Sequence, residues 1–236
     1  MTAKGKTASR RKAMPEASPA RTAARKRSER QERRRAQSRD DILDAARRVI
    51  TRDGIRITLD AVAEEVGLTK AALYYYFPSK EALLSELMFG VIKAEADGVA
   101  AALATSNSGA DALEGIIGTT IARYAGNMAD FRLTYMHAQL AAPNALELLP
   151  EFFAGLRPLN EKTYGVAAGL IAEEVGDRGT RAGVSPRRLA FLAHMAAIGV
   201  LTMKGLVESV GDPLVHSDEQ LVADLAKIFA TAASPR

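Results

Sequence analysis

From position 42 the chain keeps a helical rhythm. Ile42, Leu43, Ala45, Ala46, Val49 and Ile50 recur at the spacing of one helix face. Ser38 with Asp41 three residues later resembles a capping box at the head of that helix, and Gly54 is a suitable residue for its end. Thr58 is the next N-cap position, followed by Leu59, Val62, Ala63 and Val66 on one side of a short helix that stops at Gly67. Thr69 opens a third helix after only one further residue. That helix runs to about Phe77, where Pro78 disfavours continuation, and Ser79 caps a longer fourth helix with Leu83, Leu84, Leu87 and Val91 on one face.

The stretch ATSNSGAD at residues 104–111 is turn chemistry and marks a module boundary. Beyond it the periodicity predicts helices at about 111–126, 128–141, 145–175, 186–210 and 218–233. Pro150 and Pro158 fall inside the third of these, which predicts a pair of helices or a kink. Alternating, β-branched runs are hard to find, so the expected class is all-α. The expected organisation is an N-terminal three-helix domain followed by a larger C-terminal helical domain. The boundaries read as a disordered basic tail at 1–37, a first domain at 38–85 whose fourth helix runs on to about 104, and a second domain at 105–236.

Charge sharpens this picture. The net charge is +4, yet residues 1–39 hold 14 Lys and Arg against 3 Glu, so the remainder of the chain is left at −7. A basic tail on an acidic body suits attraction to a polyanion. There is no Cys, which excludes disulfides, Cys-ligated zinc and thiol nucleophiles. The basic start lacks the apolar core of a secretory signal, and the most apolar stretch, 189–203, reads as a buried helix too short to span a bilayer. The expectation is a cytoplasmic, nucleoid-associated protein that is not an enzyme and uses no cofactor. No phosphate-cradling Gly loop, nucleophile elbow or triad is present, and three scattered His without Cys make no metal site. His137 and His194 read as buried, hydrogen-bonded histidines, and the adjacent pairs Glu64/Glu65 and Glu173/Glu174 as solvated faces.

Two short helices joined at Gly67 form a helix-turn-helix. Ala63 is small where the helices cross, and Val62, Val66, Leu68 and Leu73 supply the shared interface. On the second helix Leu73, Tyr76 and Phe77 share an inward face, leaving Lys70, Ala71, Tyr74 and Tyr75 outward. Exposed tyrosines suit a ligand that offers both apolar edges and phosphate oxygens, as DNA does.

The stretch LDAVAEEVGLTKAALYYYFPSKEALL resembles the DNA-binding signature of the TetR family of bacterial transcription regulators. The resemblance covers about residues 40–87 and rests on the joint spacing of Thr58, Ala63, Gly67, Leu73, Tyr74, Tyr76, Phe77, Lys80 and Leu83. It implies that Thr69 to Tyr76 lie in the major groove, with Lys70, Ala71 and Tyr75 nearest base edges. Thr58, Tyr74, Tyr76 and Lys80 would then hold the backbone, Thr58 and Lys80 from helix N-termini. It also implies a small-molecule pocket in the second domain, for which Tyr124, Phe131, Tyr135, His137, Phe152 and Tyr164 are candidates, with plain core packing as the competing reading of each.

The helix after Arg188 is apolar almost all round and needs partners on every side. With the stripe Leu221, Val222, Leu225, Ile228 and Phe229 on the last helix, it predicts a four-helix bundle with a second subunit. The functional expectation is a dimeric, ligand-responsive repressor on a palindromic operator. The alternative is an architectural or protein-recruiting DNA-binding dimer that answers to no ligand.

Overall fold

A computed structural model describes residues 19–54, 57–136, 150–210 and 216–236. His137 therefore lies outside the described residues. In chain order the helices are α1 (Pro19–Asp53), α2 (Leu59–Val66), α3 (Lys70–Tyr76), α4 (Lys80–Leu103), α5 (Gly109–Ala125), α6 (Met128–Phe131), α7 (Pro150–Asn160), α8 (Val166–Val175), α9 (Pro186–Val210) and α10 (Asp218–Ala233).

The first helix corrects one expectation. It starts at Pro19, whose fixed φ suits a first helical position, and meets neither Gly nor Pro until Gly54. The intervening Ala, Arg, Glu and Gln are strong helix formers, so residues 19–37 are helical where an unfolded tail was expected. Ser38 lies mid-helix, and its hydroxyl donates to the Arg34 carbonyl at 3.0 Å instead of capping.

The next three N-caps match the reading from sequence. Thr58, Thr69 and Ser79 accept from the backbone N–H of Ala61, Ala72 and Ala82 at 3.2, 3.2 and 3.1 Å. Gly67 has φ +72°, and the Leu68 N–H returns to the Ala63 carbonyl at 2.9 Å. A side chain at Gly67 would be forced into the left-handed region, so glycine fixes the sharp crossing of α2 and α3.

In the second half, α5 is central and packs against α4, α8, α9 and α10. Two π turns interrupt the pattern, Arg132–Met136 after α6 and Glu161–Gly165 between α7 and α8. Pro158 cannot donate to the α7 ladder, so the break expected in the long segment is a change of pitch rather than a loop. Pro186–Leu206 is, by length and mean hydropathy of 1.6, long enough to cross a membrane, longer than the stretch read from sequence. Leu189, Ala190, Ala193, Ala197 and Leu201 are buried in the second core, which gives this helix a protein neighbour.

Two cores result. Ile42, Val49, Val62, Leu73, Phe77, Leu83 and Leu87 form the first, and Val99, Ile116, Ile121, Tyr124, Phe131, Ile171 and Ala193 belong to the second. Helix α4 supplies residues to both. Leu133 and Phe152, distant in sequence, join the first core. Gly155 of α7 lies so close to Phe89 of α4 that a Cβ there would sit 2.5 Å from the ring. No other residue type admits that approach without moving the ring.

Candidate nucleic-acid interface and a buried polar hub

Helix α3 is pinned from behind. Leu73 and Phe77 are buried, and the Arg39 guanidinium donates to the Tyr76 carbonyl at 2.9 Å and to Glu86 on α4 while stacking 4.5 Å over the Phe77 ring. One side chain of α1 thus satisfies a carbonyl at the C-terminal end of α3 and ties α1, α3 and α4 together. Glu65 accepts from Arg48 and Arg52 at 2.8 and 3.0 Å, so it joins α2 to α1, where a solvated face was expected.

The front of α3 is open. Tyr74 is 43% and Tyr75 66% exposed, and Lys70, Ala71, Thr58 and Thr69 are exposed beside them. Tyr76 and Lys80 are half-buried. The Tyr75 ring meets Tyr76 edge-on at 5.3 Å, and Arg35 of the α1 extension lies 5.2 Å from its centroid. Lys70 donates to Asp60 at 2.9 Å, and that hydrogen bond holds its ammonium above the usual lysine range. Of the eight residues singled out from sequence, Lys70 lies over the Tyr74 ring and Tyr75 meets Tyr76, Ala71 is exposed on the same helix, and Thr58, Thr69 and Lys80 stand at the N-terminal ends of α2, α3 and α4. Arg35 and Arg39 were read only as part of the Arg-rich segment 25–39 that adds electrostatic affinity for DNA; their spacing of four, one helical turn, was the signal for their separate contacts.

The aromatic candidates of the second domain divide. Tyr124, Phe131, Tyr135 and Tyr164 come together, with Phe131 and Tyr135 rings 5.4 Å apart. Phe152 does not join them, because it packs on Phe89 and Leu156 against the first core. Tyr124 and Tyr135 directly, and Tyr164 through His194, converge on a residue that sequence reasoning missed, Glu95 of α4, only 4% exposed, while Phe131 packs against the first two rings. Its Oε1 accepts from Thr120 Oγ1 at 3.1 Å and His194 Nε2 at 2.8 Å, and its Oε2 from the hydroxyls of Tyr124 at 2.8 Å and Tyr135 at 2.7 Å. Burial by itself pushes the Glu95 carboxyl up. The His194 hydrogen bond and charge, with the Tyr135 and Tyr124 hydroxyls, outweigh it and hold the group below its ordinary range. Burial, with the Glu95 charge added, raises the phenols of Tyr124, Tyr135 and Tyr164, so they stay protonated as donors.

With Glu95 ionised, His194 Nε2 carries the proton it donates, and Nδ1 meets the Tyr164 hydroxyl. His194 is thus buried and hydrogen-bonded, as its sequence setting suggested. Beside it lies a cavity of about 50 Å³ whose lining includes Ile92, Val99, Leu159 and Asn160 with Glu95, Tyr135, Tyr164 and His194 of the hub. A larger apolar cavity of about 540 Å³ is lined by Met128, Phe131, Met136, Leu201 and Met203, with the exposed Arg132 at its edge.

Residues 42–87 match the sequence model described as "Bacterial regulatory proteins, tetR family". No curated protein sequence matches the chain. Among solved structures, a TetR/AcrR-family transcriptional regulator from Thermobifida fusca shares 22% identity, with 82% of this chain and 96% of that one covered and a TM-score of 0.60. The FadR regulator of Bacillus subtilis in complex with stearoyl-CoA shares 15% identity over 81% and 97%, with a TM-score of 0.61. The ketosteroid transcriptional regulator KstR2 of Mycobacterium tuberculosis shares 15% over 81% and 92%, with a TM-score of 0.55. At these identities the likeness is one of fold.

Proposed function

We propose, from a TetR-family DNA-binding segment at residues 42–87 carried on the fold of that family's regulators, that the chain is a ligand-responsive transcriptional repressor. It binds a palindromic operator as a homodimer. The observation that carries this reading is the front of α3, where Lys70, Ala71, Tyr74 and Tyr75 are exposed on a helix fixed from behind by Leu73, Phe77 and Arg39. A rigid helix presenting a cation and two phenols suits insertion into a major groove. Thr58, Thr69, Tyr76 and Lys80 hold phosphates at its flanks.

In this reading the DNA-binding domain spans residues 38–85, with α4 running on to about 104, and residues 105–236 bind the effector and the second subunit. Helix α9 supports the dimer: opposite its buried face, Leu192, Met195, Gly199 and Met203 are exposed at heptad-like spacing, and Ile228 of α10 is 62% exposed. An effector in the second domain biases the separation of the two α3 helices, because it binds two arrangements of α4 unequally. The protein acts in the cytoplasm, on the nucleoid.

The test is selection of genomic DNA fragments by the purified protein at near-physiological salt, repeated with Lys70→Ala and Tyr75→Ala. Enrichment of a palindromic site that is lost or relaxed in both variants is the expected result. Sequence-independent enrichment indifferent to both substitutions would remove α3 as the reader.

A further inference from the structure

The Glu95 hub is an expensive thing to bury, and nothing in DNA recognition needs it. An ionised carboxylate in a core is tolerated only with full pairing, and an apolar residue of similar volume would serve stability as well. The two walls that hold it are also irregular. Tyr135 lies in the π turn Arg132–Met136 and Tyr164 in the π turn Glu161–Gly165. Such turns concentrate at functional sites, because they place a side chain where regular helix would not.

We propose that the effector of this protein is a lipophilic amine, whose protonated nitrogen takes the place of His194 on Glu95. The inference rests on the reading of the chain as an effector-responsive regulator and adds the chemical class of the effector. Charge decides the class. Among the described residues lining the small cavity, Glu95 is the acid and none is Lys or Arg. The nearby Arg123 is drawn off, lying 5.8 Å over the outer Tyr124 ring and 3.7 Å from Asp130. A carboxylate among phenol rings is the pairing that recognises an ammonium group, by a charge-assisted hydrogen bond and by the ring faces. An anionic head would meet a buried negative charge with no counter-cation.

Size and shape agree. About 50 Å³ accommodates an ammonium head and little more. The apolar cavity of about 540 Å³, which suits a hydrocarbon body, shares no lining residue with the small one; its Phe131 ring packs 5.4 Å from Tyr135 of the small cavity, so these two rings must part for one ligand to occupy both. Displacement of His194 frees α9 from its direct bond to α4, so occupancy of the site alters the contact between the helix that bears the proposed dimer face and the helix that carries the DNA-binding domain.

The groups facing the hub are Glu95 from α4, Thr120 and Tyr124 from α5, Tyr135, Tyr164, and His194 from α9. The His194 N–H and a ligand ammonium compete for the same carboxylate oxygen, Glu95 Oε1.

The test is a matched set of probes on the full-length protein: benzylamine, phenethylamine and 4-phenylbutylamine, each beside the alcohol and the carboxylate of the same length. Calorimetric affinities are measured at one near-neutral pH. The expected result is a preference for at least one amine over its alcohol of about tenfold or more, with the carboxylate weaker still. Glu95→Gln abolishes the preference. His194→Ala, which removes the competing donor from Glu95 Oε1, is expected to tighten amine binding, and serves if the Glu95 variant does not fold. Absence of binding by every amine overturns the proposal, as does tighter binding of a carboxylate, for which Arg132 at the larger cavity would be the partner. So does weaker amine binding in His194→Ala. DNA capture without any amine, measured in parallel, reports on the regulator reading separately.

Discussion

Lys70 Nζ stands 2.9 Å from Asp60 Oδ2, so the cation on the first turn of α3 is already engaged by the first turn of α2. Any contact from Lys70 to a base or a phosphate must first break this exposed pair. Replacing Asp60 with Asn removes the competitor and is expected to tighten DNA binding by roughly fivefold or less, as befits a solvent-screened pair. Fluorescence anisotropy with a captured operator fragment measures it. Weaker binding would mean that Asp60 positions Lys70 rather than restraining it.

Arg39 makes a sharper prediction. Its planar fork reaches Glu86 and the Tyr76 carbonyl at once while stacking on Phe77, and a lysine ammonium cannot do all three. Arg39→Lys is expected to cost about 2 kcal/mol of stability and to lower DNA affinity with the direct contact face intact. Urea unfolding gives the first quantity. An unchanged midpoint would show that the joint of α1, α3 and α4 does not depend on this side chain.

Removing one donor from the hub should register as both stability and pH dependence. Tyr124→Phe deletes a 2.8 Å hydrogen bond to Glu95 and is expected to cost about 1.5–3 kcal/mol. The sign of the pH effect follows from the depressed folded-state value of Glu95. Its contribution is fully present above the ordinary glutamate value of 4.5 and is lost as pH falls through the lower, folded one. With a donor gone, the folded value moves back up and the acid-sensitive window narrows. Denaturant melts of both proteins between pH 6 and pH 3 should converge as the pH drops, and a constant gap would contradict the assignment.

For the dimer, Met195→Glu puts a charge in the middle of the exposed α9 stripe. Sedimentation at micromolar concentration is expected to show a dimer for the natural chain and a monomer for the variant, with operator affinity falling by at least about a hundredfold because two half-sites are no longer held together. A dimer surviving the substitution would place the interface elsewhere.

The basic N-terminal part of α1 carries Arg30, Arg33 and Arg34 on a helix that passes the proposed DNA face beside Tyr75. Changing all three to Gln is expected to reduce the slope of log affinity against log salt by up to about 2.7, at about 0.9 for each phosphate that is no longer neutralised. An unaltered slope would leave this extension as a solvated leader.

How much of this was legible follows from the range of each signal. Thr58, Thr69, Ser79 and Gly67 act on backbone groups within three or four residues of themselves, and the chain shows those neighbours directly. The Ser38 signal was equally local but lost to a continuous run of helix formers on its N-terminal side. Glu95 was invisible for the opposite reason. Its partners stand 25, 29, 40 and 99 residues away, on elements whose approach only tertiary packing decides. Glu174, read as solvated, accepts from the Gly109 backbone N–H at 2.9 Å across 65 residues and was hidden in the same way. Phe152 looked like a pocket aromatic because periodicity reports that a face is apolar without saying which core it enters.

Helix α4 can be considered as a lever. Glu95 sits fifteen residues along it from Lys80, a distance of about 22 Å at the helical rise. Gly155, against Phe89, supplies a fulcrum between the two, since the absent side chain lets α7 bear directly on the rod. The arm from Phe89 to Lys80 is nine residues, about 13.5 Å, so a rigid rod turned through about 8° about that fulcrum carries its Lys80 end by about 2 Å. Hydrogen bonds to base edges tolerate far less than that, so a change too small to unpack either core would still lift α3 out of register with its groove.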